Sequence, residues 1–247
     1  MSDLTGRRAL VTGGSRGIGA AIVRRLAADG AQVAFTFASS AEHAEKLRNE
    51  VLSVGGPAPH LIRADSADTA QVSSAVDEAA SALGGLDILV NNAGVATSGS
   101  VEEFTLEQFD RMVAINVRGV FAGVQRAIRL LASGGRIITI GSIFADRVPG
   151  AGSAVYAMTK AAVAGLTRGL ARELGPRGIT VNLVQPGPIA TDTNPDEGDF
   201  ADAMRQLTAL GHYGQPQDIA SAVAYLASAE AGFVTGASWN VDGGFAT

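Results

Sequence analysis

Short apolar runs alternate with helix-patterned stretches from one end of this sequence to the other. RALVT (8–12), QVAFTF (32–37), HLIRA (60–64), a run inside LDILVNNAG (86–94), GRIITIGS (135–142), ITVNLVQPG (179–187) and SWNVDGG (238–244) read as strands. Helical patterns fall near 17–29, 41–54, 68–83, 102–112, 113–132, 153–175, 199–209 and 216–228. A strand–helix–strand alternation closes most readily as right-handed crossovers onto a parallel sheet. The strands lack polar alternation, as expected where helices cover both faces. The fold class is therefore α/β: a doubly wound, Rossmann-like parallel sheet of about seven strands with helices on both faces. No linker or composition break divides residues 1–247, so one domain is expected. The irregular, proline-bearing segment QPGPIATDTNPDEGDF (185–200) reads as the start of a substrate lid at about 188–212.

Composition narrows the chemistry. The chain has no cysteine, which removes disulfides, thiolate catalysis and Cys-type zinc sites. His43, His60 and His212 lack ligand spacing, so no metal is expected. A formal charge of −5 gives no electrostatic reason to expect nucleic-acid or anionic-membrane partners. No apolar span approaches the roughly 18 residues of a membrane helix, and MSDLTGRRALVTGG lacks the apolar core of a signal peptide. A cytoplasmic location is the resulting expectation.

VTGGSRGIG joins the first strand to the first helix, with Gly13, Gly17 and Gly19 spaced G-x3-G-x-G. Glycines there permit a tight turn and let a helix N-terminus approach a pyrophosphate. The second strand ends FTFASS, with no acid to hold a ribose 2′-hydroxyl; the first, Glu42, lies inside the next helix. Arg16, with the hydroxyls of Ser39 and Ser40, could instead take a 2′-phosphate, which favours NADP(H) over NAD(H). A solvated surface charge is the other reading of Arg16.

Tyr156 and Lys160 stand four apart in SAVYAMTKAAVAGL (153–166), on one face of an otherwise apolar helix. Taken alone, a core Tyr beside a snorkelling Lys explains them better than chemistry does. The wider pattern reverses that preference. TGGSRGIG (12–19), NNAG (91–94), Asn116, the GS ending at Ser142, YAMTK (156–160) and PG (186–187) occur in the order of the classical short-chain dehydrogenase/reductases, which the chain resembles over nearly its whole length. Within that family it is similar to the β-ketoacyl reductases and small-carbonyl reductases.

The resemblance implies a catalytic tetrad of Asn116, Ser142, Tyr156 and Lys160. It implies cofactor contacts at Gly13, Ser15, Arg16, Ile18, Gly19, Asp65, Asn91, Gly94, Tyr156, Lys160, Ile189 and Thr191, and commonly a homotetramer built through long helices and the last strand. Reducing a ketone needs a hydride at carbon and a proton at oxygen. An ammonium beside a phenol, with a cationic nicotinamide, favours the phenolate that is left behind. Ser142 would polarise the carbonyl. Asn116 would hold a water linking Lys160 to solvent, although a kink or cap is an equal reading of an Asn there. NNAG is also ordinary turn chemistry.

Two departures bear on substrate. The turn LASGG (131–135) has no charge before Arg136, so only Arg177 is left of the basic patch that docks an acidic carrier protein in reductases of this kind. Tyr156 follows Ser142 by 156 − 142 = 14 positions, one more than the commoner family spacing. Substrate contacts are expected from Ser142, Ile143, Phe144, Val148, Tyr156 and Pro188, under a lid carrying Asp192, Asp196, Glu197 and Asp199. An apolar pocket beneath acids suits a neutral ketone or aldehyde; the acids read equally as a solvated face. The alternatives are a 3-oxoacyl-carrier-protein reductase and a cyclic-dinucleotide-binding regulator. QPGPIATDTNP and the ending FVTGASWNVDGGFAT resemble a bacterial reductase-like protein of the latter kind.

Overall fold

The computed structural model describes residues 2–247. The strands are β1 (Arg8–Val11), β2 (Gln32–Phe37), β3 (His60–Arg63), β4 (Ile88–Asn91), β5 (Arg136–Ile140), β6 (Thr180–Pro186) and β7 (Ser238–Val241). The helices are α1 (Gly17–Ala28), α2 (Ala41–Ser53), α3 (Thr69–Leu83), α4 (Leu106–Val113), α5 (Val120–Ala127), α6 (Ala154–Leu174), α7 (Asp199–Leu207) and α8 (Pro216–Ala227). All seven strands pair in parallel in the order β3-β2-β1-β4-β5-β6-β7. The order reverses at β1, so the crevice at the carboxyl ends of β1 and β4 is where such a sheet binds ligands.

Both faces of the sheet are buried, which is why its strands read as unbroken apolar runs. Ala9, Val11, Val33, Phe35, Val90 and Ile138 meet Ile22, Leu26, Leu47 and Val223 from α1, α2 and α8 on one face. Leu10, Ala34, Leu89, Ile137 and Val181 meet Val76, Val124, Leu170 and Leu174 from α3, α5 and α6 on the other. Each such Leu, Ile or Phe contributes about 2 kcal/mol by leaving water. Only edge strand β7 alternates, with Ser238 and Asn240 exposed between half-buried Trp239 and Val241.

Several boundaries differ from the sequence reading. The helix expected from 102 begins at Leu106, because Thr105 and Gln108 form a capping box there. The helix expected over 113–132 opens as a π-helical turn at Ala114–Gly119 and closes at Ala127. Ser142 lies two residues beyond the end of β5, capping a 3₁₀ turn at Ile143–Ala145. The last strand stops at Val241, and Gly243 (φ 61°) and Gly244 (φ 79°) turn the chain away. No helix among the described residues is long and apolar enough to cross a membrane.

The amino edge of the sheet is locked by charge. Arg8 at the start of β1 grips Asp87 just before β4, Nε donating to Oδ2 at 2.7 Å and Nη2 to Oδ1 at 3.0 Å. Burial pushes the Asp87 carboxyl up, but the hydrogen bonds from the Arg8 side chain and backbone, and its charge, outweigh this and hold the carboxyl below its ordinary value. A depressed folded-state value means that this stabilisation is present above the unfolded value of about 3.9 and is lost as pH falls through the folded one. Asp87→Asn is expected to cost about 2 kcal/mol at pH 7 in urea unfolding. Its deficit against the parent should shrink below about pH 4; a deficit unchanged at pH 3 would assign the loss to something other than this charge.

Candidate active site

The glycine loop is built by the strands beneath it. Gly13 N–H donates to Thr36 Oγ1 at 2.9 Å and Gly14 N–H to the Thr36 carbonyl at 2.9 Å, so the loop lies on the carboxyl end of β2. Gly13 (φ 64°) and Gly17 (φ 52°) take the left-handed backbone that glycine accepts without strain. Asn92 Nδ2 donates to the Thr12 and Gly13 carbonyls at 3.0 and 2.9 Å, bracing the loop from the β4 side of the crevice. Arg16 precedes α1, and no side chain caps the helix there. Its first-turn amides therefore face the crevice mouth as a ready anion site.

Around the crevice the structure gathers most of the residues singled out above. A methyl placed on Gly17 would touch Thr191 Cγ2 at 3.5 Å, so the segment after β6 meets the glycine loop. One placed on Gly94 would touch Asn116 Oδ1 at 3.5 Å and Lys160 Nζ at 3.6 Å. Buried Ile189 pairs with Gly214 in an isolated bridge beyond β6. Arg16 and Ser39 are exposed and Ser40 half-buried, on adjacent loops after β1 and β2. Asp65 shapes its own turn, Oδ1 accepting from Ala67 N–H at 2.9 Å. Asn91 is spent inside the sheet, its Nδ2 donating to Thr139 Oγ1 at 3.3 Å. The structural half of the NNAG reading thus applies to both asparagines.

Asn116 sits in the π-helical turn, the kind of helix defect that concentrates at functional sites. Its Oδ1 accepts from Val95 N–H at 2.9 Å, and Nδ2 donates to the Val95 carbonyl at 2.8 Å and to Thr159 Oγ1 at 3.1 Å. Thr159 in turn donates to the Tyr156 carbonyl at 2.8 Å. This fully buried threonine, absent from the sequence reading, ties Asn116 to the helix carrying Tyr156 and Lys160. Its only sequence signal is a β-branched polar residue among alanines.

Lys160 is 7% exposed and donates to the Ile140 carbonyl at the end of β5, at 3.0 Å. Its Nζ stands 5.6 Å from the centre of the Tyr156 ring. An ammonium has three donors, so two remain for other partners. The snorkelling reading fails here: the charge is drawn inward, not out to water. Ser142 Oγ accepts from Phe144 N–H at 3.2 Å, which leaves its own hydrogen free to donate.

Ile143 joins a separate apolar cluster with Ala201, Met204, Tyr213 and Phe245, against which Phe144 packs. Val148 is not gathered with them; at 47% exposed it lies on the surface. Asp192, Asp196, Glu197 and Asp199 are all exposed, so water screens them and their influence on substrate charge is small. Burial pushes the Tyr213 phenol up, with Arg205 opposing and Asp196 adding to the effect, so it stays neutral. Arg177 is exposed and held on the surface by Nη2, which donates to the Ile128 and Leu131 carbonyls at 2.7 and 2.9 Å.

Residues 13–246 match the family model described as enoyl-(acyl carrier protein) reductase. The cyclic-di-GMP-binding biofilm dispersal mediator protein of Escherichia coli K12 is 47% identical over 245 residues, covering 99% of each chain. A short-chain dehydrogenase/reductase from Serratia marcescens shares 57% identity at a TM-score of 0.97, over 99% of this chain and all of that one. A short-chain dehydrogenase from Burkholderia cenocepacia, crystallised with NADP, shares 51% identity at 0.97 over the same spans. With this fold, this motif order and these relatives, the chain belongs to the short-chain dehydrogenase/reductase family.

Proposed function

We propose that the chain is an NADP(H)-dependent reductase of a neutral ketone or aldehyde, acting as one unit with residues 188–212 as its lid. The observation that carries this reading is the buried Lys160 ammonium, fixed on the Ile140 carbonyl beside the Tyr156 ring, on a helix that Thr159 ties to Asn116. The residues present fit the cofactor: the uncapped α1 N-terminus and glycine loop suit a pyrophosphate, Arg16 with Ser39 and Ser40 a 2′-phosphate, and Lys160 the nicotinamide ribose.

When bound, the reduced nicotinamide supplies the hydride that goes to the carbonyl carbon. Ser142 donates its free hydrogen to the carbonyl oxygen and draws electron density onto it. Tyr156 then delivers its proton to that oxygen, giving the alcohol and leaving a phenolate. The neighbouring Lys160 ammonium stabilises that anion. Water held beside Asn116 and Lys160 returns the proton. Exposed apolar side chains on α5 and α6 (Phe121, Met158) and before β7 (Phe233) support assembly into a homotetramer through those faces.

The test is a ketone and aldehyde panel assayed with NADPH and NADH in parallel. NADPH is expected to be the better donor. Arg16→Gln should weaken NADPH binding about tenfold and leave NADH unchanged, since only the former carries the 2′-phosphate. A parent chain that prefers NADH would reject the assignment. A regulatory reading is favoured by the Escherichia coli relative, whose name records cyclic-di-GMP binding. Calorimetric binding of cyclic-di-GMP, with no carbonyl turned over, would replace the reductase reading. A carrier-bound substrate is disfavoured by the uncharged turn LASGG (131–135), and far higher activity on an acetoacetyl carrier than on free ketones would restore it.

A further inference from the structure

The α6 backbone alone holds Tyr156 weakly. The tyrosine stands in the first turn, Ser153 gives no side-chain cap, and the preceding loop carries Gly150 and Gly152 (φ 87°). First turns without caps fray. The ring is steadied from outside the helix: Phe144 meets it edge-on, centroids 5.9 Å apart at 77°. Phe144 in turn stacks on Phe245, 6.4 Å away at 23°. Phe245 is fully buried although it lies only two residues before Thr247.

Two devices fix Phe245 in that place. Asp242 folds the segment into a turn, Oδ1 accepting from Gly244 N–H and Oδ2 from Ala246 N–H, both at 3.0 Å. Arg147 closes over it: Nη1 donates to the Phe245 carbonyl and, at 3.0 Å, to the Thr247 carbonyl, with the guanidinium 5.6 Å from the Phe245 ring centre. No Asp or Glu side chain pairs with Arg147 among the described residues. Its backbone N–H returns to the Ile143 carbonyl, so it shares one short loop with Ser142 and Phe144.

We propose that Arg147 and Phe245 are positioning residues for Tyr156. The turn at 242–247, clamped by Arg147, holds Phe144 against the phenol and thereby fixes the proton donor over the substrate. This inference rests on Tyr156 being that donor, but one of its readouts does not need turnover.

The experiment compares the parent chain with Phe245→Leu, Arg147→Gln and Arg147→Lys. The measurements are kcat and KM for a ketone that the parent reduces, and the NMR line of tyrosine labelled with carbon-13 at Cζ. The Tyr156 line is assigned by its absence in Tyr156→Phe. Phe245→Leu and Arg147→Gln are expected to lower kcat about tenfold with KM within about twofold, the signature of a misplaced reacting group. They should also move or broaden the Tyr156 line. Arg147→Lys keeps a donor and should recover part of the loss. Because Arg147 is half-exposed, its variants leave no buried cavity, and near-UV circular dichroism checks that they fold. An unchanged kcat, or a loss confined to KM, would overturn the proposal by reducing the segment to a pocket wall. If the parent reduces no carbonyl, the reductase reading fails and the NMR line decides alone. An unmoved Tyr156 line in both variants then rejects positioning.

Discussion

Tyr156→Phe is expected to bind NADPH within about twofold of the parent and to reduce ketones about a thousandfold more slowly, the usual contribution of a positioned acid. The substitution is clean because the Tyr156 hydroxyl has no hydrogen-bond partner among the described residues. Removing it orphans nothing, and the ring keeps its contact with Phe144. Lys160→Met would be a poorer probe. It deletes the ammonium and also strips the Ile140 carbonyl of its donor, so activity and stability would fall together. Stopped-flow binding and steady-state turnover on one preparation separate the two quantities. Turnover by Tyr156→Phe at a tenth of the parent rate or more would remove Tyr156 from the chemistry. The regulatory alternative makes the opposite forecast: cyclic-di-GMP binding, if present, would be indifferent to the phenol.

The sheet was legible because its causes are local and repeated. Each strand is an apolar run facing two covered faces, and the α/β alternation leaves few topologies open. The glycine loop and the Tyr156–Lys160 step were legible for the same reason, since each is a short spacing with a single geometric consequence. What escaped depends on contacts between distant segments. Thr159 matters only because the π-helical turn brings Asn116 to it from 43 positions away. That turn has no sequence period of its own; its residues read as ordinary helix. The second task of Arg177, donating to the Ile128 and Leu131 carbonyls just after α5, also spans distant segments. Phe245 and Arg147 are 98 positions apart and carry no spacing signal at all. Asn116 reads in the sequence either as a kink or cap or as a catalytic residue; the fold places it in the π-helical turn, where its amide meets Val95 and Thr159.

Gly19→Ala should separate the cofactor site from the scaffold that carries it. A methyl at this position would lie 2.2 Å from the Gly13 carbonyl oxygen and 2.5 Å from Asn92 Nδ2. Those two atoms are hydrogen-bonded to each other at 2.9 Å, so the methyl wedges into the bond that braces the glycine loop. Neither can swing aside cheaply: one is backbone, and the other also holds the Thr12 carbonyl. Overpacking of this kind costs about 1–3 kcal/mol, and its upper end is roughly a hundredfold in affinity. The strain falls at the carboxyl edge of the sheet, away from the Arg8–Asp87 lock, so the seven-stranded core should survive. NADPH affinity, followed by fluorescence, should drop roughly a hundredfold while the far-UV spectrum is kept. Gly165→Ala is the matched control. It lies within α6, where an added methyl meets nothing within 4 Å, so it should stabilise the helix by about 1 kcal/mol and leave NADPH binding unchanged. Parent-like NADPH binding by Gly19→Ala would mean that the pyrophosphate does not approach the loop at this turn. A fall in both variants would point instead to general damage to the fold. A fall in Gly19→Ala alone ties cofactor affinity to the close contact between Gly19, Gly13 and Asn92, a contact that only a residue without a side chain permits.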